Sequence, residues 1–311
     1  MLRRDRSLDE IAAAGVWGAV LDGAVDDVDV GAMVAALALT GETREELAGL
    51  QRAARERLAP WRAAPRSRAI AIPAYGVMRG ESLLVALLAT LLPRFDVPVL
   101  VHGVLDSPRG ADAARLLRAL GLMPCVSLEG AEASIAARGA AFVPARVFAP
   151  ALAAIMALRA RMGFANSAHL VAQALDPTGG RAVRMTFCAE GEACERYRLL
   201  AAAARGDSIA LTWPAGSSPA NLFVRPHIDW LREAAAQLLF EADLPDPRPA
   251  QAPPGEGEAE ARWITRVARG EIAVPPPALH LIAACLHAVG GAPDLSRAKA
   301  AAAIQAGRLA A

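Results

Sequence analysis

The chain has 311 residues, 54% of them hydrophobic and 21% charged, with a formal net charge of +1. That hydrophobic share excludes a disordered chain, and the balanced charge excludes a protein that is basic all over while leaving room for a local basic patch. Aromatic residues make up only 5%, too few for a platform of many stacked bases. Alanine supplies close to a quarter of the chain and Lys299 is its only lysine, so arginine in place of lysine is a habit of composition and carries no functional weight. The four cysteines, Cys125, Cys188, Cys194 and Cys285, form no C-x-x-C pair and have no histidine at ligand spacing. They read as buried free thiols of a reducing compartment. The first residues carry no apolar signal-peptide core, and the longest apolar run, Leu83 to Leu92, is about half the length of a membrane span. A soluble, cytoplasmic protein is expected.

The first sixty residues read as helices. Ser7 with Glu10 has the spacing of a capping box opening a helix from Leu8 to Leu21. Asp26 and Asp27 precede a second helix from Val28 to Leu39, stopped at Gly41, and Thr43 with Glu46 opens a third toward Leu58. Val30, Val34, Leu37, Leu47 and Leu50 recur at helical spacing. Pro60 and Pro65 then mark a hinge over 61–69. Beyond it, strand and helix alternate. Arg68 to Ile72, Pro98 to His102 and Ala141 to Pro144 read as short strands. Ser82 to Leu92, Ala111 to Leu120 and Pro150 to Arg161 read as helices. This order predicts an α/β fold: a helical subdomain over 1–60 and an α/β domain over 70–311 built on a mostly parallel central sheet. Pro214 to Pro226 reads as irregular and 243–258 as a surface loop. The C-terminal segment from Ala261 is helical, with breaks at Pro275 to Pro277 and at Pro293.

Several strings carry a family resemblance. Ala36-Leu-Ala-Leu-Thr-Gly-Glu-Thr-Arg-Glu-Glu-Leu-Ala-Gly49, Val97-Pro-Val-Leu-Val-His-Gly103 and Phe142-Val-Pro with Leu158-Arg-Ala-Arg-Met-Gly163 resemble glycosyltransferase family 3, the anthranilate phosphoribosyltransferase type. Ile70-Ala-Ile-Pro-Ala-Tyr75, Val99-Leu-Val-His-Gly-Val104, Arg161-Met-Gly163 with Asn166-Ser-Ala-His169, and Trp263-Ile264 with Gly270 resemble the YbiB family within that superfamily. The resemblance covers roughly residues 8–305. It implies the nucleoside phosphorylase/phosphoribosyltransferase type of fold, a homodimer joined largely through the helical subdomain, and sequence-independent nucleic-acid binding without demonstrated transferase chemistry; no cofactor is expected.

The transferase equipment is eroded. A diphosphate needs a glycine-rich loop after the first strand, whose small residues let backbone N–H groups reach the phosphates. Here that loop reads Ile72-Pro-Ala-Tyr-Gly-Val-Met-Arg-Gly80, with a ring at Tyr75 and no N–H at Pro73. Val104-Leu-Asp-Ser-Pro-Arg-Gly110 replaces the lysine- and serine-rich phosphate segment. The expected Asp-Glu pair for Mg²⁺ is missing from Thr212-Trp-Pro-Ala-Gly-Ser-Ser218, which has no carboxylate. Tyr75, Gly76, His102, Gly103, Asn166 and His169 are therefore expected to line a vestigial cleft. His102 at a strand end has the place of a general base but no partner, and packing is the plainer account of it. His280 and His287 are too far apart for an i, i+4 metal pair, and no metal site is expected. Glu190, Glu192 and Glu195 read as solvated helix-start charges.

Charge is segregated along the chain. Residues 1–50 carry four arginines against ten acids, residues 51–80 seven arginines against one acid, and residues 138–184 six against Asp176. A basic groove that neutralises phosphates is what sequence-independent binding requires. Arg62, Arg66, Arg68, Arg79, Arg109, Arg159, Arg161 and Arg184 are the expected backbone contacts to single- or double-stranded nucleic acid. Arg159 also matches the parent family's acid-binding arginine. A diverged phosphoribosyltransferase with an unknown acceptor is the alternative.

Overall fold

The computed structural model describes residues 7–61, 68–76, 78, 80–106, 113–204, 206–232, 235–243 and 257–309. Three helices open it: α1 (Glu10–Leu21), α2 (Asp27–Thr40) and α3 (Arg44–Glu56). Each starts on a side-chain cap, from Asp9, Asp26 and Thr43 respectively, and Thr43 with Glu46 forms the predicted capping box. The box expected of Ser7 is replaced by the Asp9 cap; the other Glu46 oxygen instead accepts the Leu8 N–H at 2.8 Å, tying the entry of α1 to α3. Gly49 lets α1 and α3 approach closely, since a Cβ there would lie 2.8 Å from Glu10 O and 2.6 Å from Ala13 Cβ.

The α/β part is a seven-stranded sheet in the order β3-β2-β1-β4-β5-β6-β7. Its strands are β1 (Ile70–Ala74), β2 (Val99–Gly103), β3 (Ala140–Pro144), β4 (Val183–Ala189), β5 (Ser208–Trp213), β6 (His227–Arg232) and β7 (Ala235–Phe240). The first five are parallel, and β6 and β7 return antiparallel. β1 to β3 are buried along their whole length, as parallel strands covered on both faces must be. Their side chains alternate between two cores. Ile70, Ile72, Val99 and Val101 face α4 (Glu81–Leu91), α5 (Ala113–Ala119) and the C-terminal helices α12 (Glu258–Ala268), α13 (Pro276–Ala288) and α14 (Leu295–Leu309). Leu100, Ala141 and Val143 face the opposite layer: α6 (Leu128–Arg138), α7 (Ala145–Phe148), α8 (Pro150–Ala157), α10 (Ser167–Ala174) and α11 (Glu192–Ala203). The buried residues of α1–α3, including Trp17, Val34, Leu47 and Leu50, are continuous with this second core. The single helix expected over Pro150 to Arg161 is broken at Leu158 into α8 and the short α9 (Arg159–Met162).

Cys188, at the end of β4, and Cys194, in α11, are joined as a disulfide across the strand–helix turn, with Cα atoms 5.1 Å apart. This corrects the reading of four free thiols; only Cys125 and Cys285 remain free. No helix of the described residues is long and apolar enough to cross a membrane.

Gly103 closes β2 against its neighbour so tightly that a Cβ would stand 2.0 Å from Ala74 O. The atom is backbone in a central strand and cannot step aside. Gly103→Ala is expected to cost about 3 kcal/mol through forced backbone shifts, read as a lowered midpoint in chemical denaturation.

Candidate functional site

The C-terminal ends of β1, β2 and β3 open into a cleft of about 570 Å³, and α8, α9 and the start of α10 form its far wall. Of the residues expected there, Tyr75, Gly103 and His169 line it, together with Arg159 from the set expected to contact nucleic acid. Asp106 and Arg146 line it as well, and neither was singled out in sequence. Arg146 is the second residue of α7, directly after β3, and a basic residue just past a strand's C-terminal end is the signal that could have found it.

The loop after β1 has an unexpected tenant. The Glu81 carboxylate, buried in the first turn of α4, accepts the Tyr75 and Gly76 N–H groups through Oε1 at 3.0 and 3.2 Å. Its Oε2 accepts the Met78 N–H at 3.1 Å. Successive backbone amides converging on one anion form a nest of the kind that binds phosphate, and here the chain's own carboxylate fills it. Gly80 permits the turn that brings Glu81 back: its φ is +79°, and a Cβ would lie 2.3 Å from Ala220. Nothing in the sequence pattern singled out Glu81; its return over six residues to Tyr75 is visible only in the fold.

Tyr75 and His102 are both buried and share a hydrogen bond between the phenol oxygen and Nδ1 at 3.0 Å. His102 also meets Phe148 edge-on. Burial depresses the His102 imidazole from 6.5 to about 3 and pushes the Tyr75 phenol upward, so both stay neutral. His102 is a packed core residue and does not line the cleft. Asn166 caps α10 through Ala168 N at 3.2 Å and donates to Ile155 O at 2.7 Å. His169 Nδ1 turns back onto Asn166, within 3.2 Å of its carbonyl oxygen and 3.1 Å of its Oδ1. Burial, with the Arg159 charge adding, lowers His169 to about 4.

Both histidines refuse protons in the fold that they take up when unfolded. Their contribution to stability is complete above about pH 6.5 and is lost as pH falls toward 4. For His102 alone the loss is about 1.4 kcal/mol per pH unit in that window. Denaturant titrations at pH 7 and pH 5 are expected to differ by about 2 kcal/mol from this residue, and His102→Gln to flatten the slope whatever its effect on absolute stability.

The expected arginine contacts do not form one surface. Arg159 lines the cleft, and the exposed Arg161 stands two residues further along α9. Arg68 precedes β1 at the opposite edge and pairs with Asp207 at 2.8 Å. Arg184, at the start of β4, is 1% exposed and donates to the carbonyls of Ala174, Ala201 and Gly206. It cannot touch a nucleic-acid backbone; its place on a central strand explains the burial, and the expectation is corrected. Arg62, Arg66, Arg79 and Arg109 lie outside the described residues.

Residues 1–58 match the helical bundle domain of the glycosyl transferase family. The chain is 29% identical to YbiB of Escherichia coli (strain K12) over 94% of its own length and 92% of that protein's. It is 32% identical to the anthranilate phosphoribosyltransferase of Novosphingobium aromaticivorans over 56% of this chain and 52% of the enzyme. The crystal structure of anthranilate phosphoribosyltransferase from Thermus thermophilus superposes with a TM-score of 0.67 at 24% identity, covering 98% of this chain and 94% of that one. The Saccharomyces cerevisiae enzyme in complex with PRPP and Mg gives 0.68 at 12% identity, with 97% and 92% covered. The fold is that of the anthranilate phosphoribosyltransferases. Similarity to YbiB, first read from short strings, extends along nearly the whole chain.

PRPP and Mg do not fit the residues that an anthranilate phosphoribosyltransferase-like fold places here. Among the described residues, the Tyr75, Gly76 and Met78 amides after β1 are taken by Glu81, and the segment after β5, Thr212 to Ser218, carries no carboxylate of its own, the nearby Glu190 being spent on the Ala215 N–H at 3.4 Å.

Proposed function

We propose that this chain is a non-catalytic, sequence-independent nucleic-acid-binding protein that works as a homodimer. The observation that carries the reading is a contrast within one cleft. The amide nest suited to a diphosphate is spent on Glu81. Meanwhile Arg146, Arg159 and Arg161 at the same edge have no carboxylate partner among the described residues. Unneutralised guanidinium groups beside a groove suit phosphates spaced along a strand, and a filled nest does not suit a diphosphate held at a point. The exposed apolar residues of the N-terminal helices, Ile11, Val28 and Leu39, support self-association there.

The test is fluorescence anisotropy of a labelled single strand and a labelled duplex across a salt series. Neutralising three to six phosphates gives a slope of about −2 to −4 in log affinity against log salt for single strands. Absence of binding at low salt defeats the proposal. A second reading, a diverged phosphoribosyltransferase with an unknown acceptor, draws on the cleft volume of about 570 Å³, which is that of a small-molecule site. It requires Mg²⁺-dependent heat on titration with phosphoribosyl diphosphate.

A further inference from the structure

We propose that a second cavity, on the sheet edge opposite the cleft, is a binding site for a small phosphomonoester. The cavity measures about 480 Å³ and lies between the C-terminal half of α3, Trp61 and the turn joining α10 to β4. It is independent of the nucleic-acid reading and shares no residue with the cleft.

Its charge balance is the first argument. Among the described residues, Arg55, Arg181 and Arg184 line it against one carboxylate, Asp176. That carboxylate is already consumed by its own turn: it accepts Thr178 N and Oγ1 at 2.7 and 2.6 Å, and Gly180 N and Ala182 N at 2.8 and 3.1 Å. Arg55 makes no ion pair among the described residues. Arg181 bridges the two walls, donating to Thr178 O at 2.9 Å and to Trp61 O at 2.8 Å, and makes no ion pair among the described residues.

Arg184 is the second argument. A buried cation is costly unless a counter-charge meets it. Arg184 is 1% exposed and is held only by three carbonyl oxygens, with its Nε unpartnered. Burial lowers it to about 10, and Asp176 and Asp207 offset this only at a distance, Asp207 being bonded to Arg68. The Trp61 indole N–H, also on the cavity wall, is buried without an acceptor. The site therefore gathers the unspent Trp61 indole N–H and the unpaired charges of Arg55 and Arg181, with the buried charge of Arg184 behind them. Its chemical complement is an anion with several acceptor oxygens, which planar guanidinium forks grip best as a phosphate. The volume exceeds that of phosphate alone and suits a nucleoside monophosphate.

Calorimetry at low salt with adenosine monophosphate, adenosine and a 5′-phosphorylated oligonucleotide tests the assignment. The monophosphate is expected to bind one per chain and the nucleoside not at all. Arg55→Ala, a half-buried site whose loss the fold tolerates, is expected to weaken the monophosphate at least tenfold. In Arg184→Met the ligand is expected to lose its thermal stabilisation of the protein. If the oligonucleotide alone binds, the phosphate recognised is that of a strand end and the small-molecule assignment falls. Silence with the monophosphate, undiminished binding by Arg55→Ala, or loss on Arg146→Ala in place of Arg55→Ala also overturns it.

Discussion

Replacing Arg159 and Arg161 together by glutamate is expected to weaken binding of a labelled single strand by at least about 100-fold at low salt. Each contact of a guanidinium with a phosphate is a charge-assisted hydrogen bond worth about 1.5–3 kcal/mol, so two lost contacts reach that factor before the new repulsion is counted. The salt slope should fall by about one unit per lost contact, uniformly across sequences. Neither residue holds the fold: α9 buries none of its side chains, and neither arginine is ion-paired among the described residues. Arg68→Glu is the contrasting variant. Its charge faces Asp207 at the opposite edge, so it should lower the unfolding midpoint and leave strand affinity within twofold. Anisotropy and thermal unfolding on the same preparations decide the matter: undiminished affinity in the double variant removes the cleft edge as the binding surface.

These two variants also mark what the sequence made legible. Periodicity and caps located α1 to α3, and the short apolar runs located β1, β2 and β3, because each signal is local. β4 was not seen: Val183-Arg-Met-Thr-Phe-Cys-Ala189 carries an arginine at its second position, and only the carbonyls of Ala174, Ala201 and Gly206 make that arginine tolerable inside. Those partners lie 10 to 22 residues away, and no spacing rule reaches them. Arg68 was likewise counted as a free cation because Asp207 lies 139 residues on. Tyr75, Gly103, Arg159 and His169 did meet in one cleft, since the family strings preserved the strand ends that bring them together. Glu81 went unread because its role depends on a turn, and the turn depends on the close approach of Gly80 to Ala220.

Glu81→Ala is expected to lower stability by about 3 kcal/mol and to make the protein responsive to anions. The substitution strips the acceptor from the Tyr75, Gly76 and Met78 amides. A buried donor left unsatisfied costs about 1–3 kcal/mol; the half-buried Gly76 and Met78 recover part of that from water, and the buried Tyr75 does not. For a chain of this length the midpoint should drop by roughly 4–5 °C. Sulfate or diphosphate at millimolar concentration should restore more of the midpoint in the variant than it adds to the parent, because ligand bound only to the fold stabilises by mass action and the freed nest now has room for it. Glu81→Gln, which keeps one acceptor oxygen, should lie between the two. A variant as stable as the parent, or one equally indifferent to anions, would show that the carboxylate is not what closes the loop. Differential rescue would mean that the phosphate cradle persists in the backbone and that one side chain fills it.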